Sequence, residues 1–345
     1  MRILVGMNDG LALATRHNGR WRLETRLDGL RTECLAFDPR RPEQVYCGTT
    51  RDGLWRSDDG GATWQPVGEG IPHRAVTAVA VSPTEEYRGR GVVYAGTEPS
   101  ELYRSEDGGA TWQECPALRA LPSRPTWSFP PRPGTHHVRW IEPDPVVAGR
   151  VYVSIEQGGV MRTLDGGRTF EDRRPDGPRD AHTLATHAAA PGRLYAAAAD
   201  GLGAPGREFA VSRDGGVTWH REGGGIAHHY LWSVAADPGN AEGVVISGAH
   251  TPAQAHDAAR AESVLYYRAA GGKWKRAVEG LPPAEGTVIP VLATSHAEPG
   301  VFYVACNRGI FRSADAGRSW QALEVEWPVA RYGRQHVQGL AVLAL

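Results

Sequence analysis

Apolar positions in this chain fall in short runs between turn residues, and the same order of runs keeps returning. One run centres on an aromatic: Gln44-Val45-Tyr46-Cys47-Gly48-Thr49, Val92-Val93-Tyr94-Ala95-Gly96-Thr97, Arg150-Val151-Tyr152-Val153, Arg193-Leu194-Tyr195-Ala196 and Val301-Phe302-Tyr303-Val304. Runs this short, rich in β-branched and aromatic residues, predict strands. A second apolar run lies upstream and ends in proline, over residues 34–39, 78–83 and 233–238. A third element follows the aromatic run. It reads Ser57-Asp58-Asp59-Gly60-Gly61-Ala62-Thr63-Trp64, and returns as Ser105-Glu106-Asp107-Gly108-Gly109-Ala110-Thr111-Trp112 and as Thr163-Leu164-Asp165-Gly166-Gly167-Arg168-Thr169-Phe170. Further copies end at Trp219 and Trp320, and worn ones at Trp21, after Asn18-Gly19-Arg20, and at Trp274, after Gly271-Gly272-Lys273.

The third element has a mechanical reading. A short Asp side chain accepts hydrogen bonds from backbone N–H groups two or three residues on and closes a turn. The glycine after it supplies a positive φ, and the aromatic opens the next strand and packs between sheets. Each copy is therefore a clip at a hairpin tip. A calcium loop is the other reading of an acidic, Gly-rich turn, but a single regular carboxylate per copy is too few for that ion. Each unit becomes strand A, strand B, strand C, clip and strand D. Repeats of this length built from four strands are propeller blades.

The clip aromatics lie 43 to 58 residues apart. Residues after Trp320, joined to those up to Trp21, supply one more blade length. The expected architecture is all-β: a seven-bladed β-propeller over residues 1–345 as a single domain. Its last blade takes strand A from residues 337–343 and strands B to D from the N-terminus. That splice removes the free sheet edges of an open arc.

Composition narrows the function. The chain has 345 residues, 41% hydrophobic and 22% charged, with a net charge of −1. No basic patch suggests nucleic acid, and no run of about 18 apolar residues suggests a membrane span. Asn8, Asp9 and Gly10 interrupt the N-terminal apolar stretch, so no signal segment is expected and a cytoplasmic location is. Cys34, Cys47, Cys115 and Cys306 show no paired spacing and are expected to be buried thiols.

The S-x-D-x-G-x-T-W copies resemble the Asp-box, or BNR repeat, of sialidase-like propellers. The V-Y-x-G-T runs are similar to those of bacterial WD40/YVTN/BNR-like proteins, often called glycosyl-hydrolase-like, and of the photosystem II stability and assembly factor group. The resemblance spans essentially the whole chain and implies the propeller fold. It implies no one function, since the repeat serves enzymes, receptors and assembly factors alike. The Arg-Ile-Pro signature of sialidases does not occur here, so that activity is not implied.

Chemistry belongs on the face that carries the B–C and D–A connections, opposite the clips. Two long insertions are assigned there: residues 115–135, with Trp127 and Phe129, and residues 249–262, with His250, His256, Asp257 and Arg260. Either is a lid or a rigid surface loop. Counting eight residues back from the residue before the proline of strand A gives His136, His182 and His229, with Arg74 in the second blade. His336 matches by its apolar pattern, while Leu30 and Pro290 fill the place in blades one and six. Only one of each pair, His136 or His137 and His228 or His229, can face the channel.

Just after strand B come Thr50, Glu98, Glu156 and Asn307, with Asp200 and His250 one residue further on. Glu33 and Arg139 occupy matching places deeper on the inner strands. Three readings stay open for such a mouth. Glu98 and Glu156 act as acid and base on a small polar, sugar-like ligand held by Glu33, Arg74, Arg139, Asp200 and His250. His136, His182, His229 and His336 hold a divalent metal. Or the channel is simply hydrated, and the protein is a scaffold for a protein partner.

Overall fold

Each repeat folds as an antiparallel meander of four short strands. In blade 1 these are Thr32–Asp38, Arg41–Thr49, Leu54–Ser57 and Gln65–Pro66. The computed structural model describes residues 1–132, 134–269 and 272–344. Among them are seven sheets, and the inner strands of blades 2 to 7 are Val76–Tyr87, Val138–Pro143, Ala181–Thr186, Tyr230–Asp237, Val291–Thr294 and Gly339–Leu343. Blade 3 has three strands, with a single Arg162–Glu171 bridge where the fourth would run.

Each inner strand packs beside the next, and that of blade 7 returns to that of blade 1, so the ring is closed. The expected splice is present: Arg2 lies opposite Leu343 and Gly6 opposite Gly339. The chain is thus a seven-bladed β-propeller. Tyr46, Tyr94, Tyr152, Tyr195 and Tyr303, from the middle of strand B in five blades, are fully buried. Each such aromatic contributes about 1.5–3 kcal/mol through burial.

Five clips share one hydrogen-bond scheme. In blade 1, Asp59 Oδ1 accepts from the amides of Ala62 and Thr63 at 3.0 and 2.9 Å, and its Oδ2 accepts from the Thr63 hydroxyl at 2.7 Å. The reach is three and four residues, one longer than the sequence reading. Ser57 Oγ takes the Gly61 amide at 2.8 Å and donates to Asp59 Oδ1 at 2.8 Å. Both carboxylate oxygens are therefore spent on the turn itself. Gly61 sits at φ 92°, and a Cβ there would lie 2.5 Å from Leu4 of blade 7; glycine lets the clip press against its neighbour.

The copy at Trp21 is different. Asn18 and Gly19, at φ 49° and 79°, form a plain two-residue hairpin turn, the mirror-image type that suits strand twist. The copy before Trp274 includes Gly271, which lies outside the described residues, as do Pro133 and Leu345. All four cysteines are buried thiols. No described helix is long and apolar enough to cross a membrane.

One feature of the inner strands positions the site. Pairing slips at Thr32/Cys34, Val76/Ala78, Val138/Trp140, Ala181/Thr183 and Leu231/Val234. Each slip is a β-bulge, which bends a strand and re-aims a side chain. The bulged residues are Glu33, Thr77, Arg139, His182 and, in blade 5, Trp232 with Ser233.

Candidate functional site

Aligning the blades through the buried Tyr of strand B, whose place is taken by Val245 in blade 5 and Leu4 in blade 7, puts Glu33, Thr77, Arg139, His182, Trp232, Pro290 and Gln338 at one equivalent position. Two residues earlier stand Arg31, His137, Asp180, Tyr230 and His336. Side chains at i and i−2 share a face, and both sets turn inward. Those of blades 3, 4, 5 and 7 touch one another, and the charges of Glu33 and Arg31 of blade 1 reach Arg139 and His336, which only the central axis permits.

Trp232 is the hub of this chamber. The Arg139 guanidinium lies 4.2 Å from its ring centre. Imidazoles of His182, His256 and His336 surround it at 4.7, 4.6 and 5.4 Å. Tyr230 is 4.9 Å from His182 and joins its hydroxyl to His256 Nε2 at 2.7 Å. His256 arrives from the 249–262 insertion, on the one-turn helix Pro252–His256, capped where the Thr251 side chain accepts from the Gln254 amide. Burial pushes His256 down to about 3, with His182 and Arg139 adding to the effect. Burial also holds His336 well below its ordinary value, followed by the charge of His256; Gln338 pulls the other way without a hydrogen bond of ordinary geometry.

The carboxylates form the second half. His137 Nε2 meets Glu156 Oε2 at 2.9 Å, and its Nδ1 faces Glu98 Oε2 at 4.0 Å. The imidazole therefore stands between the two glutamates. Burial would raise Glu156, but the hydrogen bond and charge of His137 outweigh it and bring the group to about 2. Glu98 is tied to Arg132 at 2.6 Å, on the 115–135 insertion, where Phe129 packs edge-on to His137 at 5.0 Å. Asp180 is raised by burial, against the opposing charge of His182. Glu33 is raised by burial too, against Arg139 and Arg31. Its surface is partly open because it faces the channel, although protein encloses it on every side.

The remaining predicted residues sit elsewhere. His136 points to the 115–135 insertion, edge-on to Trp127 at 5.5 Å, its Nδ1 accepting from the Ser100 amide at 3.3 Å. His229 is 31% exposed beside Glu208, 3.3 Å away. His250 stacks on His228 at 3.9 Å, and His228 Nδ1 meets the Tyr266 hydroxyl at 2.7 Å. Arg74 is exposed. Asp200 accepts the amides of Arg179 and Asp180 at 2.9 and 2.8 Å and pairs with Arg221 at 3.1 Å, so it positions Asp180.

The four histidines thus do not share a register. His136 and His229 are equivalent, but His182 stands three places further on, level with Arg139, and His336 is level with His137. The proline used as anchor is the reason. In blade 4 Pro191 lies deep in the A–B turn, well past the strand end at Thr186, whereas Pro145 and Pro238 follow closely on the strand ends at Pro143 and Asp237. Asp180, Tyr230 and Trp232 escaped the sequence reading. Counting from Tyr195 of strand B instead, and stepping back by two, would have reached Asp180; strand B of blade 5 has no aromatic to count from, so Tyr230 and Trp232 had no such marker.

The model of the BNR/Asp-box repeat matches residues 55–66, and the same clip recurs around the closed ring. This chain is a β-propeller that carries an Asp-box repeat. No curated protein matches its sequence. Among solved structures, this propeller is similar to the GH74 enzyme of Niastella koreensis at 18% identity and TM-score 0.66, covering 92% of this chain and 51% of that one. YCF48 bound to D1 peptide aligns at 16% identity and TM-score 0.56, covering 84% and 81%. A functionally unknown protein of Desulfotomaculum acetoxidans aligns at 9% identity and TM-score 0.60, covering 99% and 98%. The propeller spans about half the length of the GH74 structure, and identities this low show the shared fold alone.

Proposed function

We propose that this propeller binds a small, polar, sugar-sized ligand in the axial chamber beside the 249–262 insertion. The observation that carries this reading is a set of buried polar atoms from the inner strands that make no hydrogen bond: His137 Nδ1, Arg139 Nε and both ring nitrogens of His336. An unsatisfied buried polar group costs about 1–3 kcal/mol, and a ligand rich in hydroxyl or carboxylate oxygen would recover that cost. The fold has a precedent in the GH74 enzyme similar to it.

Hydrolysis by Glu98 and Glu156 is the narrower form of the proposal. His137 between them and Arg132 on Glu98 leave both carboxylates engaged, which favours binding over bond cleavage. A thermal-shift and calorimetric screen of neutral and acidic sugars tests the reading. A ligand found this way should lose at least about tenfold in affinity, roughly one hydrogen bond to a charged group, in Arg139→Gln and in His336→Phe. Undiminished binding in both variants would remove the chamber from consideration. Loss of turnover, if any is found, in Glu156→Gln with binding retained would support the hydrolytic form.

A further inference from the structure

His182, Asp180 and Glu156 bring an imidazole nitrogen and two carboxylate oxygens within 4.8 Å of one another. The His182 ring is 1% exposed, and its Nδ1 lies 2.6 Å from the carbonyl oxygen of Leu231 on the adjacent blade. A carbonyl only accepts, so Nδ1 carries the proton and Nε2 keeps its lone pair. That lone pair is turned toward Asp180, whose Oδ1 is 3.9 Å away, too far for a hydrogen bond. Metal-bound histidines are held in this way, one nitrogen anchored to a backbone carbonyl so that the other is presented to the ion.

The carboxylates are oriented as well. Asp180 Oδ1 accepts the Gln157 amide at 3.0 Å, Asp200 accepts the Asp180 amide at 2.8 Å, and Glu156 Oε2 receives His137 Nε2 at 2.9 Å. We propose that Glu156, Asp180 and His182 form a binding site for one divalent transition ion, Zn²⁺ or Mn²⁺, at the wall of the axial chamber.

Bonds of about 2.0–2.2 Å place donors around such an ion about 3–4 Å apart, so small rotations of the two carboxylate ends complete the site. One nitrogen and two oxygens suit zinc or manganese; calcium takes all-oxygen shells. Arg139 Nε, 3.9 Å from Glu156 Oε2, opposes a cation, and Glu33, close enough to feel Arg139, offsets it. An open hollow of about 380 Å³ lined by Gln157, Arg179, Asp180 and Asp200 lies beside the Asp180 ligand. This donor set differs from the four histidines that the sequence suggested. Three ligands leave coordination positions open to a substrate oxygen or water.

The test uses the full chain without any sugar, so its outcome is separate from that of the chamber ligand. Protein stripped with a chelator and reloaded should take up one Zn²⁺ or Mn²⁺ per chain and melt at a higher temperature. Asp180→Asn and His182→Gln should each weaken binding by about 100-fold or more, while His220→Ala, on an exposed outer strand, should bind as the parent does. In the unaltered protein, Mn²⁺ should broaden the His182 ring resonances and spare those of His220. Substoichiometric uptake of both metals, unchanged affinity in Asp180→Asn or His182→Gln, or broadening that misses His182 would each overturn the site.

Discussion

Two imidazoles in the chamber, His256 and His336, take their protonation from burial. His256 titrates near 3, and His336 well below its ordinary value; unfolded, each would titrate near about 6.5. Between those values the unfolded chain binds the extra protons, so stability falls as pH falls from about 6.5 toward 3. Glu142, pushed up to about 7 by burial, acts in the opposite sense, because the folded state takes its proton first. The useful readout is therefore a difference. Urea midpoints measured from pH 7 to pH 4 should decline less steeply in a His256→Gln/His336→Gln double variant than in the parent, and parallel slopes would refute this account. Glu33, Arg139 and Glu156 were legible as channel residues because alternation and repeat position mark them. Asp180 was not, because Pro191 stands farther beyond its strand than the prolines of the other blades, and Trp232, though level with Arg139, is an aromatic with nothing in its residue type to mark a polar site.

Among elements, the clip is the most completely encoded. Ser, Asp, Gly and Thr each have one place in its hydrogen-bond scheme, so the phrase alone specifies the turn. In blade 4, Asp214 accepts the amides of Val217 and Thr218 at 3.1 and 2.9 Å and the Thr218 hydroxyl at 2.6 Å. Despite the opposing effect of burial, these bonds hold its carboxyl near 2. Asp214→Ala should cost about 1–2 kcal/mol in chemical denaturation. A second clip change, Asp59→Ala, should add to it without coupling, since distant sites add; a cost near zero would mean the turn is held by its glycines. The two long insertions behaved less transparently. Their length and composition suggested covers, but that one delivers His256 to Trp232 and the other Arg132 to Glu98 depends on how neighbouring blades meet.

At the scale of the whole molecule, the ring depends on the pairing of Arg2–Met7 with Gly339–Leu343. Removing residues 339–345 would leave the Arg2–Met7 strand with an open edge, a template for association. The shortened chain should self-associate in size-exclusion chromatography and lose its cooperative melt. A compact monomer with the parent's melting temperature would show that closure is dispensable. The repeat phrase, its spacing and the split last blade determined the architecture from sequence alone, because clips and strands are local interactions between near neighbours. Which side chains share the axis was decided only in three dimensions. Residues from five blades, far apart along the chain, meet there, and a single bulge or a proline displaced within a turn is enough to change which of them face inward.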